Sequence, residues 1–418
     1  MKAQSQIKNA VLTVFLLTGA AHASYSCLYT EPANESWEYG ATHVTLTDSG
    51  TLTVRGTGAM ENYDGGETQV IPWQCIAITR LIIENGVTHI GNRAFAGYGY
   101  IDTVIIPGSV TSIGKEAFSY RRGLSSLIIG DGVKSIGDGA FSYTGLTSVI
   151  IPSSVTAIGK EAFSGCTGLI SINVSEDNPV YSSVDGVLFN KDKSALILYP
   201  QGRRGAYTIP KNVIFIEDGA FINCTGLISV TIPIGVTSIG DKAFYACSSL
   251  TSIKIPAGVT TIGRAAFQNC SSLMSIMVTE NNLHYSSVNG VLFNKSKIVL
   301  IQYPSGKSGV SYMIPDGVAT IGDEAFSGCA NLTSVTIPAS VTAIGKLAFE
   351  HCTSLTSIIV HNPFPPKTIS GVLNSFAGVD KRNVCLYIPA SSINVYRNCR
   401  TAKEWCNFNC IKPLASDQ

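Results

Sequence analysis

An Ala-Phe pair recurs nine times in this 418-residue chain, with the phenylalanines at 95, 118, 141, 163, 221, 244, 267, 326 and 349. The intervals are 23, 23, 22, 58, 23, 23, 59 and 23 residues, so the chain is an array of one short unit. That unit reads L-x-x-V-x-I-P-x-x-V-T-x-I-G-x-x-A-F-x-x-C-x-x, with a clean copy from Leu227 to Ser249. Its fourth and sixth positions (Val149 and Ile151, Ile253 and Ile255) have the period-two spacing of a strand with one buried face. Pro or Gly then turns the chain, Val-Thr-x-Ile makes a second short strand, and Gly (91, 114, 137, 159, 240, 263, 322, 345) ends it. The Phe closes the coil by filling its interior. A unit this short cannot bury its own apolar face, so consecutive units must stack into a solenoid.

Charge narrows the class further. Lys+Arg number 29 against Asp+Glu 28, a formal net charge of +1, which excludes a basic nucleic-acid arm or an acidic tail as the organising feature. With 14% charged and 45% hydrophobic residues, the chain is neither disordered nor a coiled coil. Lys2 and Lys8 precede an apolar run from Ala10 to Ala21, and Ala21-His22-Ala23 supplies small residues at the −3 and −1 positions. This pattern predicts a signal peptide cleaved after Ala23, because the run is too short to span a bilayer. Ser24-Tyr25-Ser26 before Cys27 lacks the aliphatic residue of a lipobox. The mature protein is expected to be exported, secreted or held at the cell surface, where disulfides are permitted.

These repeats resemble the 23-residue unit of the BspA-like (treponemal-type) leucine-rich-repeat surface proteins over nearly the whole mature chain. The segment from Thr45 to Val54, Gly56-Thr57-Gly58-Ala59-Met60 and Pro72-Trp73 is similar to that family's N-terminal region. Leu386-Tyr387-Ile388-Pro389 and Trp405-x-x-Phe408-x-x-Ile411 resemble its closing segment. The resemblance implies a right-handed, curved, β-rich leucine-rich-repeat solenoid and a surface or secreted protein of the kind implicated in adhesion. The expected organisation is a signal peptide (1–23), an N-terminal β-hairpin cap (24–77), the repeat solenoid (78–361) and a disulfide-stapled C-terminal cap (362–418).

The two long intervals are themselves alike. Tyr181-Ser182-Ser183-Val184-Asp185-Gly186-Val187-Leu188-Phe189-Asn190-Lys191 recurs, with Asn289 for Asp185, from Tyr285 to Lys295, 104 residues on. Each is followed by an apolar run ending Tyr-Pro, at Tyr199-Pro200 and Tyr303-Pro304. Two β-rich runs around a polar Lys-containing turn read as a hairpin, giving insertions at about 178–208 and 282–313. Such a hairpin either lengthens a coil or projects beside the binding face.

Six of the twelve cysteines (Cys166, Cys224, Cys247, Cys270, Cys329, Cys352) follow the repeat Phe by three residues. Stacking puts like residues about 4.8 Å apart with parallel Cβ vectors, a poor arrangement for a bridge. They read as a buried thiol ladder, each a small apolar filler with a weak S–H donor to a turn carbonyl. Tyr98, Arg121 and Thr144 take that position in the first three coils. The other six lie at the ends, where disulfides would staple the exposed coil edges: Cys27 with Cys75, and two bridges among Cys385, Cys399, Cys406 and Cys410, in any of three connectivities. A zinc site lacks its C-x-x-C pairs.

No catalytic, cofactor or metal motif stands out. There is no H-E-x-x-H, G-x-S-x-G or G-x-G-x-x-G, and Gly306-Lys307-Ser308 mimics a phosphate loop whose first required Gly is Ile301. His43, His89, His284, His351 and His361 show no ligand spacing, and Glu280-Asn281-Asn282 offers too few carboxylates for Ca²⁺. What remains is the outer face of the first strand. Its third position is an almost pure Ser/Thr column, and its fifth presents Ile82, Ile105, Ile128 and Ile150 in four consecutive coils. An exposed apolar stripe of this kind marks an interaction site unless the N-terminal segment covers it or β-branched residues merely suit the ladder. The chain therefore reads as a non-catalytic adhesin without cofactor. Its partner would be a matrix glycoprotein or a surface protein of another cell. A structural component of the cell envelope and an inhibitor or scaffold of an exported enzyme are the other readings, and the sequence leaves oligomeric state open.

Overall fold

The computed structural model describes residues 34–63, 71–73, 76–97, 100–368, 374–398, 400 and 404–414. The expected signal peptide, Cys27, Cys75 and Cys399 lie outside the described residues. The repeat folds as expected into a β-solenoid with turns of about 23 residues. It divides into two compact units, residues 1–146 with 154–163 and residues 147–153 with 164–418.

In the first unit three antiparallel strands, Glu35–Tyr39, Thr42–Leu46 and Thr51–Gly56, precede the coils. The third pairs in parallel with Arg80–Ile83, so this segment extends the ladder. Long strands Thr103–Ile106 and Ser126–Ile129 pair in parallel register, while His89-Ile90, Ser112-Ile113, Ser135-Ile136 and Ala157-Ile158 form a second, shorter ladder. Glycine ends each short strand because adjacent coils touch there. A Cβ on Gly137 would stand 2.7 Å from the carbonyl carbon of Gly114 and the nitrogen of Lys115. Inside, Phe95, Phe118, Phe141 and Phe163 stack at centroid spacings of 5.3, 5.3 and 5.6 Å. Buried Trp73 heads this column and donates its indole N–H to the Ala94 carbonyl at 2.9 Å.

The second unit repeats this scheme, but its long-strand ladder breaks twice. Ser148–Ile151 pairs with Ser171–Val174; a new run begins at Gly205–Thr208 and continues to Ser275–Val278; a third begins at Ser311–Met313 and ends at Cys410–Pro413. Each break coincides with an insertion, and the insertions are more deeply built in than a hairpin. Tyr181–Val184, Val187–Asn190 and Ala195–Leu198 form an antiparallel meander, and its third strand pairs in parallel with Phe215-Ile216 as the short strand of a coil. The first connection is a two-residue turn with both residues left-handed, Asp185 (φ 49°) and Gly186 (φ 72°), matched by Asn289 (50°) and Gly290 (78°). The Tyr199 N–H then donates to the Ala220 carbonyl, as the Phe221 N–H does to Ala243. The Tyr199 ring packs against Phe221, tilted, with centroids 5.0 Å apart. Each long interval thus contains a coil with Tyr in place of Phe.

The middle strand of the insertion lies inside the solenoid. Val291, Leu292 and Phe293 are fully buried; Leu292 joins the apolar core built mainly from 187–276, and Val291 and Phe293 join the core of 300–411. Neither expectation, a mere lengthening or a flap beside a face, describes a strand that partitions the core. Buried Asn282 fastens the start of the insertion. Its amide N–H₂ donates to Pro256 and Val259 carbonyls at 2.8 and 3.0 Å, and its Oδ1 accepts from the His284 and Tyr285 N–H groups, each at 2.8 Å. Asn178 does the same in the first insertion, with Pro152, Val180 and Tyr181.

Candidate functional site

The long strands turn alternate side chains outward, and the sequence fills the fifth position unevenly. Ile105 and Ile128 are in-register neighbours, 56% and 53% exposed, with their flanking Val104, Ile106, Leu127 and Ile129 buried. Ile82 is half-buried, beside Thr53 of the N-terminal strands. In the second unit Ile150 is 63% exposed and paired with Asn173. Among the described residues the N-terminal strands stop at the Ile82 strand and leave Ile105 and Ile128 open to solvent. Ser/Thr at the third position pair across the same strands, Thr103 with Ser126.

The six ladder cysteines are buried and unbridged. Each of five donates its thiol to the carbonyl of the aromatic residue one coil earlier: Cys247 to Phe221 at 3.1 Å, Cys270 to Phe244 at 3.0 Å, Cys352 to Phe326 at 3.1 Å, Cys224 to Tyr199 at 3.6 Å and Cys329 to Tyr303 at 3.9 Å. Burial pushes the Cys224 and Cys329 thiols well up and Cys352 to about 12, which disfavours the thiolate at these three positions. The geometric reason expected for their reduction needs correcting. Cys385 and Cys410 are in-register neighbours on adjacent parallel strands, 4.6 Å apart at Cα, and they are disulfide-bonded. Stacking therefore permits a bridge; these five ladder thiols stay apart because each is turned into the coil toward a carbonyl. Cys406 is disulfide-bonded as well.

The remaining polar candidates are structural. Lys307, of the phosphate-loop mimic, donates to the Asn289 carbonyl at the insertion turn. Asn282, of the weak Ca²⁺ cluster, is the buried anchor described above. His89 lies between Ser112 Oγ (2.7 Å) and Asn62 Oδ1 (3.2 Å), and burial lowers its pKa. Among the described residues no group of three or more His, Cys, Asp or Glu side chains could hold a metal. Nor is any helix there long and apolar enough to cross a membrane. Sequence reasoning missed a second set of exposed apolar residues, Met274 and Met277 in one coil and Met313 in the next, because the insertion separates them along the chain.

Residues 73–186, 205–313 and 308–377 match the family described as BspA type leucine rich repeat region, in six copies. A leucine-rich repeat protein from Eubacterium ventriosum is similar over 82% of this chain and 95% of its own, at 29% identity and a TM-score of 0.58. A leucine rich cell surface protein from Faecalibacterium prausnitzii is similar over 92% of this chain and 96% of its own, at 26% identity and a TM-score of 0.44. No curated protein matches the chain.

Proposed function

The chain belongs to the BspA-type leucine-rich-repeat family, and from that premise we propose that it is an exported, non-catalytic adhesin that recognises a protein on a host matrix or a neighbouring cell. One observation carries the reading: Ile105 and Ile128 stand side by side and more than half exposed on a strand face whose fold needs neither of them there. Thr and Lys serve at the same register position elsewhere, as Thr231 and Lys254. Two aliphatic side chains held in water on a rigid face favour a partner that covers them. Export is supported by the basic-apolar-small pattern that ends at Ala23.

The test is a binding screen of the mature chain, Ser24 to Gln418, against immobilised matrix glycoproteins and intact cells, beside Ile105→Asp with Ile128→Asp. Both side chains are solvent-facing, so the variant should keep the wild-type circular dichroism and melting profile. Saturable binding by wild type and at least a roughly tenfold loss in the variant, about 1.4 kcal/mol or more, is the expected result. A folded variant that binds at full strength sinks the site. Absence of binding by wild type turns the reading toward a scaffold of the cell envelope.

A further inference from the structure

Of the five methionines in the chain, Met274, Met277 and Met313 flank the second break of the long-strand ladder. They are 50%, 45% and 72% exposed, and Val310 beside them is 61% exposed. The fold does not require Met277 or Met313. At the first break the equivalent of Met277 is Asn173, the equivalent of Met313 is Thr208, and Ile150 stands where Lys254 does here. Two insertions of nearly one sequence therefore carry different surfaces.

The break also leaves a strand edge open. Ser334 N–H donates to the Val310 carbonyl, and Ile314 N–H to the Thr336 carbonyl, each at 3.0 Å. The peptide groups of Val310, Tyr312 and Ile314 thus face strand Ser334–Ile337. Alternation turns those of Ser311 and Met313 the other way, where no strand pairs among the described residues. The strand across the break is closed instead: the Ile276 N–H donates to the Gly290 carbonyl at 2.8 Å and the Val278 N–H to Ser287 Oγ at 3.0 Å. Beside it runs an open cleft of about 590 Å³, lined by Lys254, Met277, Val278, Thr279, Glu280 and Ser287 among others. Lys254 makes no ion pair among the described residues. An exposed strand edge offers a row of main-chain donors and acceptors that selects an extended chain. Thioethers adapt their shape to apolar side chains, and an unpaired ammonium in the adjoining cleft favours a carboxylate.

We propose that this second break is a docking site for an extended peptide of another protein. The peptide adds as a β-strand to the Val310–Met313 edge through the open peptide groups of Ser311 and Met313. Its alternate side chains are apolar and lie on the methionines, and an acidic residue meets Lys254. The site lies in the second unit and does not depend on Ile105 or Ile128, so either can fail alone.

The probe is a fluorescein-labelled Thr-Val-Thr-Val-Thr-Val-Asp peptide, titrated with the mature chain and followed by fluorescence anisotropy. Saturable binding is expected, weakened at least roughly tenfold by Met277→Asn with Met313→Thr, and separately by Lys254→Ile. Those replacements are the residues that the first break already carries, so the fold is retained. N-methylation of alternate peptide nitrogens should abolish binding, while Ile105→Asp with Ile128→Asp should leave it unchanged. No saturable binding, equal binding by the methionine variant, or indifference to N-methylation overturns the proposal. So does a wild-type dimer in sedimentation that the methionine variant dissociates, since a second copy would then hold the edge.

Discussion

Position within the repeat sets the chemistry of each cysteine. A thiol turned into the coil meets a carbonyl from the coil before, as Cys247 meets Phe221, whereas Cys385 and Cys410, on neighbouring strands, meet each other. Titration of the denatured, unreduced protein with a thiol reagent should therefore find the six ladder cysteines free. A count near zero would show that the column is oxidised. The native protein should react slowly with the same reagent, because all six are buried and burial raises the thiol pKa of Cys224, Cys247 and Cys329. The ladder was legible because a fixed offset from Phe repeats six times. What replaces it was not: Arg121 is buried at the same repeat position, and its Nε–H donates to the Phe95 carbonyl at 2.6 Å. One charged residue in an apolar column carries no periodic signal of its burial. His89 gives a second residue-scale prediction. Burial lowers its folded pKa below the usual 6.5, so the unfolded chain takes up the proton first. Its contribution is present above the unfolded value and lost as pH falls through the window below it. Moving from about pH 7.5 to about pH 5 should lower the urea midpoint of wild type more than that of His89→Gln. Equal losses would remove His89 as a cause.

At the scale of the element, the insertions stand on single buried asparagines. Asn282 satisfies two carbonyls and two N–H groups at once, and its replacement by alanine takes a partner from each of the four, leaving the Pro256 carbonyl only the Val259 N–H. Asn282→Ala should cost about 3 kcal/mol or more, read as a lower urea midpoint with an unchanged m-value. A cost under about 0.5 kcal/mol, the range of an ordinary surface change, would show that water replaces the side chain freely. The same pattern recurs at Asn362, whose amide N–H₂ donates to the Val341 carbonyl and whose Oδ1 accepts from the Phe364 N–H. The coils themselves were readable from Leu, Val, Ile, Gly and Phe at fixed spacing. The insertions were read only in part. Asp185-Gly186 and Asn289-Gly290 carry a two-residue turn signal, but continuous apolar runs around them gave no sign of which face was buried. The reason is physical: a strand buried on both faces shows no alternation. The candidate surface was partly legible for a related reason. Outward positions follow from strand parity, which placed Ile105 and Ile128 correctly on the exposed side. Parity says nothing about ladder breaks, so the open edge at Met313 could be found only in three dimensions.

Across the second unit, the insertion at residues 285–302 determines how far a disturbance can travel. Coils in a solenoid touch only their neighbours, so stability is close to a sum of local terms. Strand Val291–Asn294 interrupts that chain of contacts by offering Leu292 to one core and Val291 with Phe293 to the next. Truncating these side chains should therefore loosen opposite sides of the strand. Phe293→Ala, at about 3–5 kcal/mol, should speed amide exchange chiefly in coils 314–360. Leu292→Ala, at about 2–5 kcal/mol, should speed it chiefly in coils 213–262. Exchange measured by mass spectrometry on the intact chain, with peptides from both regions, separates the two cases. If each variant loosens both regions equally, the strand is no partition and the second unit opens as one cooperative body. If the effects separate, the insertion keeps damage to one stretch of repeats from unravelling the next. A long array would need such a boundary more than a short one, since every added coil otherwise adds a place for unfolding to begin.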